Sequence, residues 1–110
     1  MSFFLGIDLG TTYFKAALFN EQGRLCGLGR QFLQKKISGD SCELPVDIFW
    51  KTLADCVAQA MTAAGAHKNE IRALSYSSQA NSFLLLGKGN DPLTPLILWP
   101  DARAGGTHPA

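Results

Sequence analysis

Nothing in the sequence is apolar for long enough to cross a membrane. The longest runs, such as Phe83–Leu86, fall far short of the roughly 20 residues a helical span needs. The opening MSFFLGIDLG has no basic residue and meets Asp8 early, which speaks against a secretory leader. Charge of one sign is scarce too. Ten Lys and Arg against nine Asp and Glu leave a formal net charge of +1, too little to hold nucleic acid by bulk electrostatics. Cysteine occurs three times, at Cys26, Cys42 and Cys56, with no C-x-x-C pair and only His67 and His108 to assist. That pattern suits neither zinc nor a disulfide framework, so the three read as packing or surface residues in a reducing cytoplasm. Two phosphate signatures are also missing. No G-x-x-x-x-G-K followed by Ser or Thr occurs, and no G-x-G-x-x-G follows a strand, which removes the P-loop and dinucleotide-fold readings.

What is present is a globular composition, 46% apolar and 17% charged over 110 residues, enough for one small domain around one core. Residues 3–8 read as a short buried strand stopped by Gly10. The segment TYFKAALF alternates as a second strand, with Phe14, Ala16 and Leu18 on one face. Asn20-Glu21-Gln22-Gly23 is a tight turn with Gly23 suited to positive φ. A third strand follows to Phe32, and Gly27 and Gly29 inside it mark a bulge. The polar stretch 34–44 reads as a loop. Asp47 stands as an N-cap before Phe49, Trp50, Leu53, Val57, Ala60, Met61 and Ala64, one apolar stripe at helical spacing that Gly65 ends. IRALSYSS is strand-like, SFLLL is a short buried strand, GKGNDPLTP is a turn region and LILW is a last strand. From Pro100 apolar periodicity disappears. This β-β-β-α-β order predicts an α/β fold with a mixed sheet.

The stretch GIDLGTTYFKAALF poses the chemical question, because Asp8 closes an apolar strand. A buried carboxylate there costs several kcal/mol unless it is paired or bound to a cation. Gly10 lets the backbone approach a ligand, the Thr11 and Thr12 hydroxyls and amides can cradle an anion, and Lys15 can reach phosphate oxygens. Asp8 would repel phosphate, but a hydrated Mg²⁺ suits it. The plainer alternative is that Asp8 caps the turn by accepting from the Gly10 or Thr11 amide.

The opening GIDLGTT-x-x-K resembles the first phosphate motif of the actin, heat-shock chaperone and sugar-kinase superfamily, whose domains have a ribonuclease-H-like fold. The block IRALSYSSQANSFLLLGKGNDPLTPLILWPDARA, residues 71–104, is similar to FGGY carbohydrate kinases, the family of xylulokinase, gluconokinase and glycerol kinase. There a strand leads into a Gln-containing substrate loop, followed by a hairpin and an Ile-x-Trp-x-Asp-x-Arg segment. The start Asp47-Ile48-Phe49-Trp50 also fits the family's Asp-x-x-Trp. The resemblance implies a mixed ribonuclease-H-like sheet forming the N-terminal part of a first domain, with the rest of it and a second domain beyond residue 110. It implies a parent enzyme that uses ATP and Mg²⁺ to phosphorylate a small-molecule sugar or polyol. Asp8 would serve the metal, and Gly10, Thr11, Thr12 and Lys15 the phosphates. Gln79, Ala80, Asn81, Trp99, Asp101 and Arg103 would serve the acceptor. The general base lies downstream of Ala110 by the same implication. Xylulokinases typically read Gln-Met-His where this chain has Gln79-Ala80-Asn81, which puts xylulose in doubt as the substrate. The alternatives are a chaperone- or actin-like nucleotide switch, or a non-catalytic module of the same fold.

Overall fold

The computed structural model describes residues 1–106; His108, considered above as a metal ligand, lies outside them. Its elements run β1 (Phe3–Leu9), β2 (Tyr13–Phe19), β3 (Leu25–Phe32), β4 (Lys36–Ser38), β5 (Ser41–Leu44), α1 (Val46–Ala64), β6 (Ile71–Ser78) and β7 (Leu96–Ile97). The described residues divide into two compact units, residues 1–33 with 50–78, and residues 34–49 with 79–106.

The first unit is a four-stranded mixed sheet in the order β3-β2-β1-β6. β1, β2 and β3 form the expected antiparallel meander, and β6 runs parallel to β1. Between β2 and β3, Asn20 builds the turn. Its Oδ1 accepts from the amides of Gln22 (3.0 Å) and Arg24 (2.9 Å), and Gly23 takes φ +76°. Period-two patterning puts Phe3, Leu5, Phe14, Ala16 and Leu18 into the core, each under a tenth exposed. Burying these side chains is the main stabilising term of the unit, at about 1.5–3 kcal/mol for each large one.

A bulge does occur in β3, but at Cys26, where Leu25 faces Phe19 and Gly27 faces Leu18, while Gly29 pairs in regular register with Ala16. The glycines have a second reason. A Cβ on Gly27 would run into the Ala60 carbonyl oxygen of α1, and one on Gly29 into that of Cys56. The helix backbone therefore rests directly on β3. This close approach corrects the predicted stripe. Thr52, Cys56 and Ala60 are the buried helix residues, all small, whereas Trp50 is 62% exposed. Burial pushes the Cys56 thiol pKa up, and its Sγ donates to the Phe14 carbonyl at 3.2 Å. All three cysteines are free thiols, with Cys42 and Cys56 buried. α1 starts at Val46, so Asp47 belongs to its first turn and is not the N-cap. Gly65 ends it as expected: φ is +64°, and the Gly65 and Ala66 amides donate to the Thr62 and Met61 carbonyls.

The second unit holds a three-stranded sheet, β4-β5-β7. Residues 34–44, read as a loop, contain the β4–β5 hairpin around Gly39 at φ +57°. A polar segment pairs here because its inward residues, Cys42 and Leu44, still alternate. The SFLLL segment forms no named strand and is not buried. Phe83 bridges Ile97, while Phe83, Leu85 and Leu86 are all more than half exposed. The strand predicted over 96–99 shrinks to Leu96–Ile97. No helix among the described residues is long and apolar enough to cross a membrane.

Candidate functional site

In the first unit, register lines up a row of side chains at one sheet end: Arg30 opposite Lys15, Lys15 opposite Asp8, and Asp8 beside Ser77. Asp8 is exposed, which corrects the expectation of a buried carboxylate and removes its desolvation cost. Among the described residues no hydrogen bond or ion pair is seen on that carboxylate. Lys15 is exposed with no acidic partner among the described residues, whereas Arg30 stacks on Tyr13, its Cζ 3.7 Å from the ring centroid. Gly10, Thr11 and Thr12 form the β1–β2 connection, which the Leu33 amide ties down by donating to the Thr12 carbonyl. Gly10 has an internal reason to be glycine: a Cβ there would lie 2.7 Å from the Tyr13 carbonyl oxygen. A shallow cavity of about 400 Å³ takes in Asp8, Lys15, Gly6, Ala17, Ser75 and Ser77. Gly10, Thr11 and Thr12 do not line it.

The chemistry of this row suits a hydrated divalent cation. An exposed hard-oxygen ligand stands beside an exposed ammonium, and Mg²⁺ usually takes one or two carboxylates and keeps the rest of its shell for water and phosphate. The described residues hold no cluster of three His, Cys, Asp or Glu side chains, so a cage built from protein ligands alone is absent among them.

In the second unit a cavity of about 230 Å³ is lined by Asn81, Trp99, Asp101 and Arg103 together with Phe83 and Ile97. Four of the six predicted acceptor residues thus meet. Gln79 and Ala80 are not in the lining. Instead Gln79 acts from behind: its Oε1 accepts from the Ser82 hydroxyl (2.9 Å), and Ser82 Oγ accepts from the Trp99 amide (3.0 Å). Asn81 adopts φ +61°, a conformation asparagine tolerates better than most residues.

The Asp101 carboxylate is tightly held. Oδ2 accepts from the Cys42 amide at 2.7 Å, and Oδ1 accepts from the Arg103 amide and Nε at 3.1 and 3.0 Å. Arg103 Nη2 lies 2.9 Å from Asp101 Oδ2 and 3.0 Å from Glu43 Oε2. The Arg103 guanidinium and then the Cys42 amide hold the Asp101 pKa down at about 2, and Asp101 in turn raises that of Arg103. Sequence reasoning missed Glu43. It was hidden in the supposed loop, and only β5–β7 pairing, Glu43 opposite Ile97, brings it to the cluster.

Solved structures share this fold. Ligand-bound xylulose kinase from Lactobacillus acidophilus superposes with a TM-score of 0.82 at 23% identity, covering 96% of this chain and 21% of that one. Among curated relatives, a probable L-xylulose kinase of Pasteurella multocida is 33% identical over 106 residues, 94% of this chain and 22% of its own length. The gluconokinase of Bacillus subtilis is 32% identical over 108 residues, 96% of this chain and 20% of its own. Residues 3–108 match the N-terminal domain of the FGGY family of carbohydrate kinases. The chain belongs to that family, and it spans about a fifth of the length of the curated relatives it matches.

Proposed function

We propose that this chain is the N-terminal part of the first domain of a sugar kinase, and that the full-length protein transfers the γ-phosphoryl group of ATP to a hydroxyl of a sugar or polyol. The observation that carries this reading is the exposed carboxylate of Asp8 near the end of β1, opposite the exposed Lys15 across the β1–β2 pair. Asp8 would hold Mg²⁺, which neutralises charge on the transferred group when bound. Lys15 and the Gly10, Thr11 and Thr12 turn would steady the phosphates. The cavity of the second unit would hold the acceptor. Trp99 offers an apolar face to sugar C–H groups, and Asn81 and Arg103 offer donors to hydroxyls. Gln79 and Ala80 shape the loop that presents Asn81, and Asp101 completes the polar wall. The general base is supplied by residues outside this chain, and the free thiols support a cytoplasmic site of action.

The test is acceptor-dependent ATP turnover by the full-length protein across ketoses, aldonates and polyols, with Asp8→Asn alongside. The expected result is stimulation by at least one acceptor and a kcat lowered by about 10²-fold or more in Asp8→Asn at nearly unchanged melting temperature, since the exposed carboxylate gives up no hydrogen bond or ion pair among the described residues. ATP turnover indifferent to every acceptor would point instead to a nucleotide switch.

A further inference from the structure

Asp101 and Arg103 line one cavity wall, but their geometry separates their roles. The Asp101 side chain is only 6% exposed, and both oxygens are committed to protein donors, namely two backbone amides and two guanidinium nitrogens. A carboxylate accepts at about four sites, so a sugar hydroxyl would have to displace a partner already in place. The Arg103 side chain is 43% exposed and reaches the cavity, and its Nη1 has no hydrogen-bond partner among the described residues. Asp101 grips the Nε–Nη2 edge of the guanidinium through both oxygens, while Glu43 grips Nη2 from β5. A long side chain anchored in this way loses its rotamer freedom before any ligand arrives, so less is lost on binding.

Building on the acceptor-site reading above, we propose that Asp101 is a positioning residue: together with Glu43 it fixes Arg103 so that Nη1 donates to an acceptor hydroxyl, and it binds no acceptor itself. Asp101→Asn keeps an oxygen for the Cys42 amide and gives up the charge that holds the guanidinium, which makes it the informative variant.

The experiment uses the full-length enzyme and reads KM and kcat separately. Asp101→Asn is expected to raise the acceptor KM about tenfold or more with kcat changed less than about threefold, the mark of lost ground-state binding. Glu43→Gln is expected to do the same more weakly. Arg103→Lys should match Asp101→Asn, and the double variant should be no worse than Arg103→Lys alone. A purely structural role would lower the melting temperature and leave the KM of the folded enzyme unchanged. A direct acceptor contact by Asp101 would make the two losses add. Either result overturns the proposal. A readout independent of turnover is solvent exchange of the Arg103 Nε–H by ¹⁵N NMR without acceptor, expected to be slow in the wild type and fast in Asp101→Asn. Fast exchange in the wild type would overturn the proposal whatever the enzyme phosphorylates. Slow exchange in a protein that phosphorylates no sugar would count against the acceptor reading instead.

Discussion

On the reading proposed here Asn81 meets two demands at once, since its backbone sits at φ +61° and the residue lines the cavity of the second unit. The two can be separated by substitution. Alanine in the left-handed region costs roughly 1–2 kcal/mol of stability, while glycine adopts it freely. If the amide bonds an acceptor hydroxyl, Asn81→Gly and Asn81→Ala should both lower kcat/KM by about 1–3 kcal/mol, with only Ala lowering the melting temperature appreciably. If Asn81 serves the turn alone, Asn81→Gly should turn over normally. Asp101 makes a different prediction, about pH. Its pKa falls from 3.8 to about 2 because Arg103 and the Cys42 amide favour the charged form. The folded state therefore binds fewer protons than the unfolded one across that interval, and stability declines as pH drops from about 4 through about 2. Unfolding followed by circular dichroism should show this acid limb in the wild type and a flatter one in Asp101→Asn.

At the scale of elements, α1 and β3 are held by what their side chains lack. Gly27 and Gly29 admit the helix backbone, and Thr52, Cys56 and Ala60 keep the facing stripe small. Gly29→Ala would press a methyl group into the Cys56 carbonyl oxygen, which flexible side-chain motion cannot relieve. Overpacking of this kind typically costs about 1–3 kcal/mol, so the urea midpoint of Gly29→Ala should fall with the m-value unchanged. A methyl on Gly6 meets its nearest neighbour at 3.9 Å, so Gly6→Ala is expected to be nearly neutral. The same contact explains what the sequence could and could not tell. The β1–β2–β3 meander was legible because alternation and the Asn20–Gly23 turn agree. The helix was legible in position, yet its buried face was misplaced toward Trp50, because hydrophobicity marks large side chains and this interface selects small ones. β4 and β5 were illegible because a short hairpin with a half-exposed face looks polar throughout. For the candidate site, the row around Asp8 was read from residue type and spacing, whereas Asn81, Trp99, Asp101 and Arg103, which line one cavity, were named by family resemblance alone. The exposure of Asp8 and the part played by Glu43 depend on strand pairing across distant segments, which no local pattern records.

For the whole molecule, the decisive fact is that relatives in the family are about five times as long as the stretch they share with this chain. On the reading proposed here, residues 1–110 hold the metal carboxylate, part of the phosphate loop and part of the acceptor wall, but neither the base nor the adenosine pocket. Missing general-base assistance alone typically lowers a rate by about 10²–10⁴-fold, before any loss of nucleotide affinity is counted. Purified residues 1–110 should therefore release no ADP above a buffer blank when given ATP, Mg²⁺ and the sugar that the full-length protein prefers. The full-length protein under the same conditions should turn over and stop when Mg²⁺ is chelated. Should the 110-residue chain itself show acceptor-stimulated, chelator-sensitive ADP release, the base must lie within these residues. Asp40, Asp47, Asp91 and Asp101 would then be the carboxylates of the second unit to substitute, together with Glu43. Comparing the two proteins in one assay, with ADP release coupled to a dehydrogenase and followed in absorbance, decides between a divided site and a self-sufficient one.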